Sequence, residues 1–156
     1  MKIKKFNILV SFLTILFFTL PVSVGSPPIQ AVSANDCKCP KVLTTTEAFN
    51  QNSLVFLGQV ISVEKASAIR PNYNIVKMIL TKSYKGEDLL PKTDYVVIYT
   101  PDKEKECGVQ FARQSDYIVF ANGNPAFMKT NSCSLTGIQE TKKAEQAKLD
   151  ELAAKK

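Results

Sequence analysis

Apolar and polar residues alternate from Tyr73 to Tyr84. Val76, Met78 and Leu80 fall on one side and Lys77, Thr81 and Ser83 on the other, which is the period-two pattern of a strand. Upstream, Leu54 to Val63 reads LVFLGQVISV, rich in branched residues, and predicts a long strand. Gly58 in its middle predicts a bulge or sharp coil. Tyr95 to Tyr99 (YVVIY) and Tyr117 to Ala121 (YIVFA) predict a third and fourth strand, and Ala126 to Thr130 a short fifth. The breaks between them are a loop over 66–72, Lys85-Gly86-Glu87 with Pro91 beyond it, a charged loop from Asp102 to Glu106, and a turn at Asn122-Gly123-Asn124-Pro125. Two helices flank the strands. Thr44 and Glu47 have the spacing of a capping box and open a short helix to about Asn52. From about Gln139 the chain turns helical, with Leu149, Leu152 and Ala153 as a narrow apolar stripe suited to packing. Glu145–Lys148 and Glu151–Lys155 read as surface pairs. A mainly β chain of five strands with a short N-terminal helix and a C-terminal helix predicts a small Greek-key barrel of the OB-fold type. A β-sandwich is the runner-up.

The first 34 residues have a different character. Lys2, Lys4 and Lys5 precede an almost unbroken apolar run from Phe6 to Leu20, ended by Pro21 and followed by small and polar residues. That run is short for a membrane span and predicts a signal peptide over 1–34, cleaved after Ala34 in preference to Gly25. A domain over 35–138 and a tail over 139–156 then remain, in a secreted, extracellular protein. The chain carries a formal charge of +6, and the leader's three lysines and no acids leave +3. This mild excess does not argue for nucleic acid.

Export changes the reading of the cysteines. Cys37, Cys39, Cys107 and Cys133 in a small secreted chain predict two disulfides rather than a metal site. Cys37 and Cys39 are too close in sequence for a relaxed bridge to each other, which leaves two of the three pairings. The chain has no histidine, which excludes Ser-His-Asp triads, Cys-His nucleophile pairs and the usual zinc sites. No carboxylate pair stands out in an apolar setting. The expectation is a protein that is not an enzyme and has no cofactor or metal of its own.

The cysteine frame resembles the N-terminal domain of the tissue inhibitors of metalloproteinases and the wider netrin-like modules, especially compact bacterial members. Cys37-Lys38-Cys39-Pro40 is similar to the family's N-terminal C-x-C. Glu47 to Lys65 resembles its first helix and strand, and Ser83 to Glu87 the end of its second strand. Ile98 to Gly108 and Thr130 to Thr136 resemble the segments carrying its later cysteines. The resemblance spans nearly all of 37–140 and implies an OB-fold with the pairing Cys37–Cys107 and Cys39–Cys133. It departs from the family at Asn50, where animal members have a cysteine of a third bridge, and at Gln114, where the bacterial pattern has glycine.

The resemblance also implies a function, inhibition of an extracellular zinc metalloprotease by a monomeric domain. Cys37 would chelate the target's zinc through its α-amine and carbonyl oxygen, and Lys38 would enter the specificity pocket. Cys39, Pro40, Glu106, Cys107 and Gly108 would form the flanking ridge. Two residues bear on this. Cleavage after Ala34 leaves Asn35 and Asp36 ahead of Cys37, capping its amine, and the Lys38 ammonium is costly in an apolar pocket. The competing expectation is a secreted OB-fold binding module for an extracellular protein or envelope glycan, with Tyr73, Tyr84, Tyr95 and Tyr99 as candidate stacking surfaces. Neither reading involves nucleic acid, or a membrane span after leader removal.

Overall fold

The computed structural model describes residues 37–155 except Pro91, Asp94 and 103–106. The signal-peptide reading over 1–34, the residues Asn35 and Asp36, and Glu106 of the expected ridge lie outside the described residues. The order is α1 (Thr45–Gln51), β1 (Leu54–Lys65), β2 (Tyr73–Lys85), β3 (Val96–Pro101), β4 (Asp116–Asn124), β5 (Phe127–Lys129), β6 (Gly137–Ile138) and α2 (Lys143–Ala153). Strand β1 pairs antiparallel with both β2 and β4. Strands β2 and β3 are antiparallel, β3 meets β5 in parallel at Tyr99 and Lys129, and β5 returns antiparallel to β4. These five strands close into an OB-like barrel. Strand β6 adds two residues to the outside of β4, opposite Tyr117 and Ile118. No described helix is long and apolar enough to cross a membrane.

The long apolar runs in β1 and β4 are explained by burial on both faces. Leu54, Phe56 and Val60 point into the barrel with Tyr117, Val119 and Ala121, meeting Val76, Met78, Ile98 and Met128. The alternate residues Val55, Leu57, Ile118 and Phe120 pack outward against the helices, with Ala48 and Phe49 of α1 and Leu149 of α2. Each fully buried large side chain contributes roughly 1.5–3 kcal/mol. Leu149 is fully buried, so α2 is a packing element of this second layer. Gly58 sits at a register shift between β1 and β2, and a Cβ there would lie 2.8 Å from the Ile79 carbonyl oxygen. The expected bulge is present because the two backbones approach too closely for any side chain.

The capping box forms: Thr44 Oγ1 accepts from Glu47 N at 3.3 Å and Glu47 Oε2 accepts from Thr44 N at 2.9 Å. At the other end of α1, Lys85 Nζ donates to the Phe49 and Asn50 carbonyls at 2.7 and 3.1 Å, satisfying groups the helix leaves open.

Three local expectations are corrected. Asn122-Gly123-Asn124 belongs to β4, paired with Lys129, Met128 and Phe127, and the turn falls at Pro125 and Ala126. Helix α2 begins at Lys143, after a 3-10 turn over Gln139–Thr141. The ion pairs along its own sequence are Lys142–Glu145 at 3.0 Å and Lys148–Glu151 at 2.6 Å rather than Glu145–Lys148 and Glu151–Lys155. Spacings of three and four both bring side chains together on a helix; here Glu145 takes the lysine three residues before it, and Lys148 takes the glutamate three residues after it.

Candidate functional site

Four cysteines tie the start of the described chain to two distant loops. Cys37 bonds to Cys107 and Cys39 to Cys133, each pair with Cα atoms 5.4 Å apart, so the pairing implied by the resemblance is the one observed. The bridges lie side by side, with Cys37 Sγ 3.9 Å from Cys133 Sγ. The sulfurs of Cys37, Cys39 and Cys133 all fall within 4.8 Å of one another, but each is consumed in a disulfide and is no thiolate ligand. Between the bridges Cys39 N donates to Cys37 O at 3.1 Å, closing a three-residue turn. Lys38 is its exposed apex and Pro40 is exposed beyond it. The Cys37 carbonyl oxygen keeps a second lone pair.

Each anchor loop is fixed by polar contacts. Cys107 adopts a left-handed conformation (φ 60°), and its carbonyl accepts from both Ser132 N and Ser132 Oγ at 2.9 Å. Beyond it, Val109 N donates to the buried Thr100 Oγ1 at 2.8 Å. The Tyr117 hydroxyl accepts from Ala112 N at 2.9 Å and donates to Gln110 O at 3.1 Å. Gly108, expected in the flanking ridge from the resemblance, is buried.

The Cys133 loop rests on three hydroxyls. Thr130 Oγ1 donates to Phe120 O at 2.7 Å, and Ser134 Oγ donates to Asn131 O at 2.7 Å. Thr136 Oγ1 lies 2.7 Å from Thr130 Oγ1 and accepts from Phe120 N at 2.9 Å. With Thr136 donating to Thr130, each hydroxyl proton has one acceptor. Sequence reading took TNSCSLT only as cysteine context, and its density of hydroxyl residues was the available signal.

A cleft of about 550 Å³ opens beside the ridge, with Pro40, Lys41, Tyr73, Lys129, Asn131 and Cys133 among its lining residues. None of the described lining residues is acidic. Lys41 Nζ reaches Glu47 Oε1 at 2.5 Å. That ammonium, with the backbone and hydroxyl bonds from Thr44, holds the Glu47 pKa at about 2 against an ordinary 4.5.

The tyrosines named from sequence separate in the structure. Tyr84 is 3 % exposed and packs with Phe49 and Leu149 in the layer beneath the helices, so it offers no stacking surface. Tyr95 is exposed at the start of β3 and joins none of the described aromatic pairs. Tyr73 and Tyr99 are half-buried and both meet Phe127, with ring centroids 5.5 and 4.6 Å away. Of the expected ridge, the structure brings together Cys37, Lys38, Cys39, Pro40 and Cys107. No family model matches the chain, and no curated protein matches it.

Proposed function

We propose that the chain is an exported, disulfide-stapled binding domain that inhibits an extracellular zinc metalloprotease through the Cys37–Pro40 ridge. The observation that carries this reading is the pair of adjacent bridges, which clamp the residues on both sides of an exposed Lys38. A segment clamped in this way loses little freedom on binding, which is how rigid inhibitory loops gain affinity. The resemblance to the tissue inhibitors of metalloproteinases supplies the chemistry. The target's zinc takes the Cys37 α-amine and carbonyl oxygen as ligands, and Lys38 enters the neighbouring pocket. Cys39, Pro40 and Cys107 flank the contact, with Glu106 assigned there from the family pattern alone. A neutral amine is a good zinc ligand and an amide nitrogen is not, so the active form begins at Cys37, with Asn35 and Asp36 trimmed away. An α-amine with a pKa near 8 is partly neutral at physiological pH. The Lys38 ammonium selects a pocket that carries a carboxylate or stays open to water.

The test begins with N-terminal sequencing of the exported protein. Zinc proteases are then titrated with forms starting at Cys37 and at Asn35. The Cys37 form should inhibit at micromolar concentration, and the Asn35 form at least about tenfold more weakly, equivalent to about 1.4 kcal/mol. Equal inhibition by both would remove zinc chelation from the mechanism. Absence of inhibition by the Cys37 form would leave the second reading, a binding module without protease inhibition, which the cleft beside the ridge favours.

A further inference from the structure

Strand parity places a group of rings and cations on the outer face of the barrel. In β3, Val96, Ile98 and Thr100 are buried, so Tyr99 faces outward; in β5, Met128 fills the core, so Phe127 and Lys129 face outward together. Tyr73 joins them from the start of β2, where the backbone registers Ile75 against Tyr99. Arg70 comes from the loop between β1 and β2, held in a turn by Tyr73 N donating to Arg70 O at 3.1 Å. Its guanidinium carbon stands 3.7 Å from the Phe127 ring centroid and 5.3 Å from that of Tyr99, while Lys129 Nζ stands 5.8 Å from Phe127.

The two cationic centres are therefore no farther apart than 3.7 Å and 5.8 Å laid end to end. That is comparable with the screening length of about 8 Å at physiological salt, so they repel one another. Among the described residues neither forms an ion pair. A guanidinium resting on a ring keeps its N–H edge in plane, which suits a planar carboxylate. Tyr73 and Lys129 line the 550 Å³ cleft, a volume in the range of small-molecule sites, while Arg70 and Tyr99 line a second cavity of about 270 Å³, and Phe127 touches members of both sets.

We infer that the group around Phe127, which spans these two cavities, binds a carboxylate-bearing oligosaccharide. Its carboxylate lies between Arg70 and Lys129, and the C–H face of the adjoining sugar ring lies on Tyr73, whose π face is electron-rich. An acidic peptide fits less well. The cleft lining carries many amides and hydroxyls, such as Gln51, Asn52, Asn122, Asn131 and Ser134, which can pair with the hydroxyls of a sugar. The group shares none of its residues Arg70, Tyr73, Tyr99, Phe127 and Lys129 with the Cys37–Pro40 contact, although Pro40 lines the same cleft as Tyr73 and Lys129.

The test is a titration of the oxidised protein, followed by amide chemical shifts, with tetragalacturonate, its methyl ester and hexaglutamate. Tetragalacturonate should bind saturably and shift amides around residues 70–73, 99 and 127–130. Arg70→Gln should weaken it by roughly tenfold, as expected on losing a charge-assisted pair. Lys129→Gln and Tyr73→Ala should each weaken it by about fivefold, and the methyl ester, which loses both charge pairs, should bind at least as weakly as the acid binds to Arg70→Gln. No saturable binding, equal binding of the ester, or insensitivity to Tyr73→Ala overturns the proposal. Hexaglutamate binding as tightly as the uronate overturns the sugar assignment in favour of an acidic peptide. Arg70 and Lys129 carry no core contact, so their variants decide the matter even if Tyr73→Ala fails to fold.

Discussion

Removing one bridge while keeping the other tests how the staple stabilises the barrel. The Cys39→Ser, Cys133→Ser pair deletes a bridge with a sequence separation of 94, for which the loop-entropy relation gives about 4.7 kcal/mol if it stood alone. It does not stand alone. With Cys37–Cys107 intact, the unfolded chain already joins residues near 37 to residues near 107. The loop that the second bridge closes then runs two residues from Cys39 to Cys37, across the first bridge, and 26 residues from Cys107 to Cys133. A loop of this size is worth roughly 3.6 kcal/mol. The same loop is left when Cys37–Cys107 is deleted instead, so the two deletions should cost nearly the same despite separations of 70 and 94. At about 4 °C per kcal/mol, each should lower Tm by roughly 14 °C. Urea unfolding of both double variants beside the parent checks the free energies directly. A Tm change within about 3 °C would show that the core is self-sufficient, and costs of about 4.4 to 4.7 kcal/mol per bridge, the values for isolated loops, would refute the shared-loop argument.

Gln114 stands at φ 62°, so Gln114→Gly should stabilise the fold by about 1 kcal/mol, read as a higher urea midpoint at unchanged slope. Thr136→Val leaves Phe120 N without its acceptor and breaks the hydroxyl chain beneath Cys133, and chemical unfolding should show a loss of about 2 kcal/mol. Glu47, with its pKa depressed to about 2 from 4.5, contributes stability that is full above 4.5, declines as pH falls and is gone below 2. Its carboxyl resonance should titrate near 2, and Glu47→Gln should flatten the stability profile between those limits.

The parts of the fold legible in sequence were those set by local pattern. The alternation around Val76 and Met78, the apolar runs of β1 and β4, Gly58 and the Thr44–Glu47 box each act within a few residues of where they are read. What was misread serves distant partners. Asn122 looks like a turn residue, but its side chain accepts from Ser53 N at 2.9 Å and donates to Gln51 O at 3.0 Å, bracing the entry to β1 from inside β4. Strand β6 exists only because Tyr117 and Ile118 offer a free edge, and two residues carry no period. Gln114 adopts a left-handed backbone at a cost, at a position whose geometry favours glycine.

The cleft was illegible for a different reason. Tyr73 and Tyr99 were visible as candidates, but Arg70 from the β1–β2 loop meets Phe127 and Lys129 of β5 only after the barrel closes. The ridge is the reverse case, because its cysteines were evident and their pairing is now observed, yet the pairing alone does not discriminate between functions. The bridges enclose almost the whole barrel between residues 37 and 133, so they stabilise the fold whether or not the ridge meets a protease. Stability requires neither a free amine on Cys37 nor any particular residue between the two cysteines, since Lys38 is exposed at the apex of its turn. The proposed inhibition requires both. The amine at Cys37 and the side chain at Lys38 are therefore the two features on which the functional question turns. Varying them leaves the staple, the core and the cleft as they are.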